Sequence, residues 1–317
     1  MNMDQDIIDR IKKLEEKYQV IGQDLRSYLD GLLYADFLTY WDYIHLDTLL
    51  SLQSPRTNLP DESIFILYHQ ITELNFKLII LTQEEIANTD KPEVQFFTER
   101  INRLNRYFES LVHSFDIMIQ GMEPEQFLKF RMSLLPGSGF QSAQFRIIEM
   151  NSTELINLVA HDKKAEMGGD VEKMIDNLYW KRGATELASG KKTLTLKLFE
   201  KKYHNKFIEL GNDLKNKHLW AKYKNLSSED QADPDLISAM KQFDVHANIN
   251  WPLVHYKSAV KYLDKKPEEI KATGGTNWQK YLPPKNRKIV FFPDLWSEKE
   301  LADWGKKPIE EYSFIPD

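Results

Sequence analysis

Apolar residues recur every three or four positions through most of this chain. The longest run, Ile101, Leu104, Phe108, Leu111, Phe115 and Met118, draws a single stripe down a core-facing helix. A second helix is predicted to open at Asp61 and Glu62, whose charges suit a helix N-terminus, and to continue through Ile64, Phe65, Tyr68, Ile71, Leu74 and Leu78. His69 falls on its apolar face. A third is predicted from Asn248, with asparagines as caps, Pro252 in the first turn and an inward stripe of Val254, His255, Ala259 and Tyr262. Asp233 and Pro234 mark the start of another helix. Strand signals are sparse, the clearest being the short apolar run at 289–292, which Pro293 halts. The expected fold class is therefore all-α, a helical bundle.

With 317 residues the chain can bury a substantial core, and nothing in it reads as a flexible linker. One domain is expected over 1–317, with an N-terminal arm to about residue 45. A peripheral helical layer is expected at about 163–231, where lysine and asparagine are frequent and Gly168 and Gly169 fall. No fixed-period repeat or low-complexity tract is present. The heptad-like run from Ile101 to Met118 is too short to prefer a coiled coil over a bundle helix.

Charge narrows the partners. A formal net charge of -6 and an isoelectric point near 5.8 give no general basic field for nucleic acid. The acidic, amphipathic first residues lack a signal-peptide core, and no later apolar run reads as reaching the roughly 20 residues a membrane span needs. A cytoplasmic protein without a membrane partner is expected. The absence of cysteine removes thiolate nucleophiles, disulfides, cysteine zinc sites, iron-sulfur clusters and thiolate-ligated haem. Histidine, carboxylate and backbone must carry any chemistry.

The densest chemistry lies at 127–146, FLKFRMSLLPGSGFQSAQFR, where two arginines and a glycine-bearing turn sit in an apolar setting. Arg131 follows Phe127 by four residues, so both share one helix face, and Pro136, Gly137 and Gly139 force a loop beside it. A guanidinium held there can clamp a carboxylate through two parallel hydrogen bonds, or can serve as a helix-end cap. His69 has Phe65 one turn before it and Glu73 one turn after it, which suits either a core imidazole bonded to a carbonyl or a functional one. His255 has no carboxylate close by in sequence, and a neutral imidazole there can ligate a metal or a haem iron.

No HExxH motif or di-iron carboxylate pattern is present. A one-histidine metal site needs a cofactor to supply the other ligands, a requirement that haem meets, although these residues alone fit a metal-free reading equally. The paired glycines of KATGGT, at 271–276, free the backbone to approach a ligand, but no Walker lysine follows them. Tyr40, Trp41, Tyr43 and Ile44 form an aromatic cluster near the N-terminus, suited to a core, an interface or a ligand wall.

Taken together, LTYWDYIHLDTLLSLQSP, DESIFILYHQITELNFKLI, FLKFRMSLLPGSGFQSAQFRIIE, the late His255 and TGGT resemble the tryptophan 2,3-dioxygenase family, in the right order. The resemblance covers about 38–82 and 96–150 well and about 250–282 more loosely. It implies a helical haem b protein, assembled as a homotetramer, that opens the indole ring of L-tryptophan with O2 to give N-formylkynurenine. By matching positions, His255 is implied as the proximal iron ligand, with Ser138 and Gly139 along the haem edge. His69 is implied as the group that orients the indole N–H beside Phe65. Arg131, with Phe127 beside it, is implied as the carboxylate clamp, and Thr273 as the holder of the ammonium and carboxylate ends. Tyr40, Tyr43 and Ile44 are implied to complete a neighbouring subunit's pocket.

The chain departs from the family pattern in four places. Phe127 stands where some relatives carry tyrosine, and WPLVH replaces an arginine-rich stretch before the ligand. The connection from His255 to Thr273 is longer by a few residues, and NWQKYLPPK lacks a further glycine and serine. The alternatives are a relative acting on a substituted tryptophan or another indole, and a non-catalytic haem or tryptophan-binding protein.

Overall fold

The chain divides into two units, Met1–Ser54 and Pro55–Asp317. The structure is a computed structural model that describes residues 4–35, 39–134, 139–185, 191–263 and 283–306. The first unit holds α1 (Gln5–Val20), α2 (Leu25–Leu33), α3 (Tyr40–Tyr43) and α4 (Leu46–Leu50). Asp4 and Asp24 cap α1 and α2 by accepting from the N–H groups of Asp6 and Arg26.

The second unit is built around α5 (Pro60–Asn88) and α6 (Val94–Ser114). Pro60 occupies the first turn of α5, where a missing N–H costs nothing. Glu62 closes the preceding turn by accepting from the backbone N–H groups of Arg56 and Thr57, at 2.9 and 2.7 Å. At the far end Lys222 Nζ donates to Thr89 O at 2.6 Å, placing a cation where the helix dipole is negative. The expected stripe of α6 is buried at Ile101, Leu104, Phe108 and Leu111, each side chain contributing about 1.5–3 kcal/mol of apolar burial.

The predicted run to Met118 is broken at Phe115, after which α7 (Asp116–Gln120) takes over. The cause is local competition for one carbonyl. Ser114 Oγ donates to Leu111 O at 3.1 Å, and the Tyr68 hydroxyl reaches the same oxygen at 3.5 Å.

Next come α8 (Pro124–Phe130), a 3-10 turn at Arg131–Leu134, another at Gly139–Gln141, and α9 (Ala143–Ser152). Helix α9 lies on α5, where Gln83 Nε2 donates to Ile148 O at 3.2 Å and to Ser152 Oγ at 3.0 Å. The region around 163–231 contains α10 (Val171–Asp176), α11 (Leu194–Asp213), α12 (Leu219–Lys224) and α13 (Ser228–Gln231). Gly168 and Gly169 take positive φ (59° and 82°) just before α10, a conformation that side chains resist. α11 packs on α9 and α10, and α12 on α5 and α9.

Asp233 and Pro234 do start a helix: α14 (Pro234–Val245), with Asp233 Oδ1 accepting from Leu236 N at 2.8 Å. It lies along α6, where Asn105 Nδ2 donates to Ala239 O at 3.0 Å. No new helix begins at Asn248. Instead α14 passes through a π-helical turn, His246–Asn250, directly into α15 (Trp251–Leu263). Pro252 lacks the N–H that a regular ladder needs, and a π turn immediately before it re-registers the hydrogen bonds. Asn248 and Asn250 act inside this turn and not as caps, donating to Asp244 Oδ1 at 2.8 Å and meeting His246 Nδ1 at 3.1 Å.

The last described elements are α16 (Pro284–Arg287), a non-helical stretch at 288–292 and α17 (Glu298–Asp303). The apolar run at 289–292 forms no strand. Its N–H groups at Phe291 and Phe292 donate to the buried Asp244 carboxylate at 2.9 and 3.1 Å, so a side chain on α14 stands in for a ladder. Among the described residues, β structure is limited to two isolated bridges, Val159 with Leu178 and Thr185 with Lys192. The all-α expectation is met.

The expected apolar stripe of α5 is met only in part, because Tyr68 is buried whereas Ile71, Leu74 and Leu78 are exposed. By length and composition alone this helix is apolar enough to cross a membrane. Tyr68, Phe76, Ile79, Ile80 and Ile86 face the core, while Leu67, Ile71, Leu74, Leu78 and Leu81 are exposed on the opposite side. Apolar residues on both faces produce the high hydropathy.

Candidate functional site

His69 lies on the core side of α5, one turn after Phe65 and two turns before Phe76, yet its surface is exposed. At the same time burial by its surroundings lowers its imidazole pKa, opposed by the bond to Phe65 and by Glu73. Its neighbours are aromatic. Phe65 packs on His69 with ring centroids 4.1 Å apart, Phe127 of α8 lies 6.2 Å from Phe65, and Tyr262 of α15 lies 4.8 Å from Phe127. A second path runs from His69 to Tyr68 (6.2 Å), Phe115 (5.6 Å) and His255 (4.4 Å). The break at Phe115 thus places a ring directly against His255.

Both imidazoles are oriented the same way. His69 Nδ1 donates to Phe65 O at 2.7 Å and His255 Nδ1 to Trp251 O at 2.8 Å, each reaching back one helical turn. That tautomer leaves each Nε2 carrying a lone pair. Burial holds the His255 pKa down to about 4, against the Trp251 bond, with further lowering by the His69 and Arg287 charges. His255 therefore stays neutral at pH 7 and available as a ligand.

Tyr262 anchors the end of α15 by donating to Met118 O at 2.7 Å. Arg131 is buried at the start of the 3-10 turn that follows Phe127 and α8. Burial lowers its pKa, but a guanidinium remains charged at any working pH. Glu73, one turn beyond His69, accepts from Gln144 Nε2 at 2.8 Å and is thereby tied to α9.

The structure brings Phe65, His69, Phe127 and His255 into one connected aromatic set, with Arg131 next along the chain from α8. Gly139 opens the 3-10 turn before α9. Ser138 and Thr273 lie outside the described residues. Tyr40, Tyr43 and Ile44 belong to the N-terminal unit, on α3 and just after it, and are exposed there.

Sequence reasoning missed four residues. Arg146 Nη1 donates to Glu149 Oε2 at 2.8 Å, Tyr179 donates to Glu149 Oε1 at 2.5 Å, and Arg287 also bonds the Tyr179 hydroxyl. The available signal was an Arg–Glu pair three residues apart inside the apolar helix SAQFRIIE.

Among the described residues, no group of three or more histidine, cysteine or carboxylate side chains can hold a metal ion. A metal at His255 would need its remaining ligands from a cofactor. With Nδ1 committed to Trp251 O, the His255 Nε2 lone pair is the donor that would hold the iron of such a cofactor.

Fold and site together define a helical protein with two imidazoles joined through one aromatic cluster. The model of the family described as tryptophan 2,3-dioxygenase matches residues 34–249. The tryptophan 2,3-dioxygenase of Bradyrhizobium sp. strain BTAi1 is 29% identical over 273 residues, covering 82% of this chain and 91% of the relative. That of Polaromonas sp. strain JS666 is 27% identical over 290 residues, covering 87% and 91%. With the Polaromonas naphthalenivorans protein the identity is 38%, but over 113 residues, so this chain spans only 40% of that relative's length.

This chain belongs to the tryptophan 2,3-dioxygenase family. The family-model match contains Phe65, His69, Phe127 and Arg131 and stops short of His255.

Proposed function

We propose that this protein is a haem-dependent dioxygenase that cleaves the indole ring of L-tryptophan with O2, giving N-formylkynurenine. The observation that carries the reading is the pair of imidazoles, His69 and His255, joined through one set of ring contacts and each with Nδ1 committed to a carbonyl one turn back. His255 would hold the iron of haem b, and Ser138 and Gly139 would border the ring. Bound haem supplies the site at which O2 is taken up and made reactive.

The rest falls to side chains. Arg131 clamps the substrate carboxylate with two parallel bonds, and Thr273 holds the ammonium end. With Nδ1–H committed to Phe65 O, His69 can only accept at Nε2, which suits the indole N–H. Indole is too weak an acid for His69 to serve as a strong base, so its role is orientation. Phe65 and Phe127 wall the ring and keep water away from it. Fixing the substrate at both ends turns a bimolecular encounter into a positioned reaction.

The reading includes a homotetramer in the cytoplasm, with no nucleic-acid partner. Two exposed apolar features support self-association: the stripe from Leu67 to Leu81 on α5, and Tyr40, Tyr43 and Ile44, which would enter a neighbouring subunit's pocket. The test is reduced, haem-loaded protein given L-tryptophan under isotopically labelled O2. A product carrying two labelled oxygen atoms supports the reading. Histidine-ligated haem that yields no such product overturns it.

A further inference from the structure

The N-terminal end of α5 holds the segment that carries Arg131 at both of its ends. At the near end the buried Asp61 accepts through Oδ2 from the backbone N–H of Glu123, the cap position of α8, at 2.6 Å. In a capping box the residue three on, here Gln126, would accept from that N–H. Its Oε1 accepts instead from Asp61 N at 3.3 Å, so the two helix starts exchange bonds. At the far end Arg56 Nη1 donates to Ser133 O at 2.9 Å, inside the 3-10 turn that begins at Arg131. The Arg56 backbone is itself fixed by Glu62, which also takes the N–H and hydroxyl of Thr57.

These bonds join residues 62 and 77 positions apart, so they set a tertiary distance and not a local turn. Between them lie Phe127, Phe130 and Arg131. Phe65, one turn into α5 from Asp61, meets the ring of Phe127 at 6.2 Å and that of Phe130 at 5.7 Å, and His69 follows one turn later. One helix therefore bears Phe65 and His69 and also fixes both ends of the segment that bears Arg131. With its ends tied and Phe130 fully buried, that segment cannot slide along α5.

We propose that Asp61 and Arg56 are positioning residues for the substrate carboxylate, acting through Arg131, an inference that rests on the reading of Arg131 as the carboxylate clamp given above. They hold the guanidinium at a set distance from the Phe65 and His69 side chains, which receive the indole. The selectivity for a ligand that carries both an indole and a carboxylate thus depends on the spacing that these two residues impose.

The test is calorimetric titration of the haem-loaded, full-length chain with L-tryptophan and, separately, with tryptamine, which keeps the indole and the ammonium but lacks the carboxylate. The unaltered chain should hold L-tryptophan about tenfold or more tightly than tryptamine. Asp61→Ala should narrow that ratio by about fivefold and Arg56→Met by about threefold, both through L-tryptophan alone. Arg56 is exposed, so its loss spares the core. Asp61→Asn, whose amide oxygen still accepts from Glu123, should restore most of the ratio. In an Arg131→Ala chain, adding Asp61→Ala should leave both affinities within about twofold, because residues that act through one another are not additive. A merely structural role would weaken both ligands together and would persist without Arg131. Either of those results, or a full ratio in both Asp61→Ala and Arg56→Met, overturns the inference and leaves the clamp standing. An unaltered chain that shows no preference for L-tryptophan, or binds neither ligand, overturns the clamp and the inference with it.

Discussion

Acidification should cost this protein stability through buried imidazoles, and His246 measures the effect most cleanly. His246 is fully buried in the π turn, beside Asn250 Nδ2 at 3.1 Å and Glu109 Oε1 at 3.5 Å. Burial, aided by the His113 charge, lowers its pKa to about 4, and burial lowers those of His218 and His255 to about 4 as well. Unfolding returns each ring to its ordinary value near 6.5, so on acidification the unfolded chain takes up protons first. The stability these groups provide is complete above pH 6.5 and is lost as pH falls towards 4.

Between pH 7 and pH 5 each ring removes somewhat under 2 kcal/mol, about 5 for the three together. Asp244 acts in the opposite direction, because burial raises its pKa to about 6 and the cost of ionising it disappears on acidification. It returns about 1 kcal/mol over the same interval, leaving a net loss of about 4 kcal/mol in the porphyrin-free protein. Such a loss is a large part of a typical folding free energy. Urea unfolding followed by circular dichroism at the two pH values measures it. His246→Gln should lower stability at both pH values but shrink the difference between them to about 2 kcal/mol. A variant that loses as much as the unaltered chain between pH 7 and pH 5 would refute the assignment.

Three further outcomes follow. His255→Ala should abolish the Soret band of histidine-ligated haem, and retention of that band would remove His255 as the ligand, whereas His69→Ala should keep the band and slow turnover. Arg131→Ala should weaken tryptophan binding by about 2 kcal/mol or more, roughly thirtyfold, while haem affinity stays within about twofold in parallel calorimetric titrations. Leu74→Glu combined with Leu78→Glu should reduce the mass measured by light scattering to that of a smaller assembly; an unchanged mass would exclude the α5 stripe as a subunit contact.

Periodicity located α6 because its buried positions repeat turn after turn, and it located α5 but misread its inner face, since apolar residues cover both sides and Ile71, Leu74 and Leu78 are exposed. Asp233 with Pro234 located the start of α14 because capping is local chemistry. The same local rules misread Asn248. Asparagine before proline is the pattern of a helix start, and only the packing of α14 against α6 decides that the helix continues instead. The run at 289–292 looked like a strand for a related reason: its residues are apolar, but its Phe291 N–H finds a carboxylate 47 residues away, which no pattern reports. His69 and His255 could be singled out as inward imidazoles, whereas their common tautomer depends on carbonyl geometry. The Arg146–Glu149–Tyr179–Arg287 set joins three distant segments, so only the Arg146–Glu149 pair was visible beforehand.

The π turn explains how one continuous helix meets two demands. α14 must set Phe243 against Phe108 of α6, with centroids 5.6 Å apart, while α15 must set His255 against Phe115 at 4.4 Å. A regular α-helix advances about 100° per residue, so one extra residue in a turn rotates everything beyond it by about that angle. The π turn at His246–Asn250 falls between the two contacts and supplies that rotation. Asp244 fixes its near end by accepting from four donors: the Asn248 amide, the Phe291 and Phe292 backbone N–H groups and the Trp296 indole. Pro252 fixes the far end by denying the helix a regular ladder there. The direction of His255 is thus set jointly by a carboxylate on one side of the turn and a proline on the other.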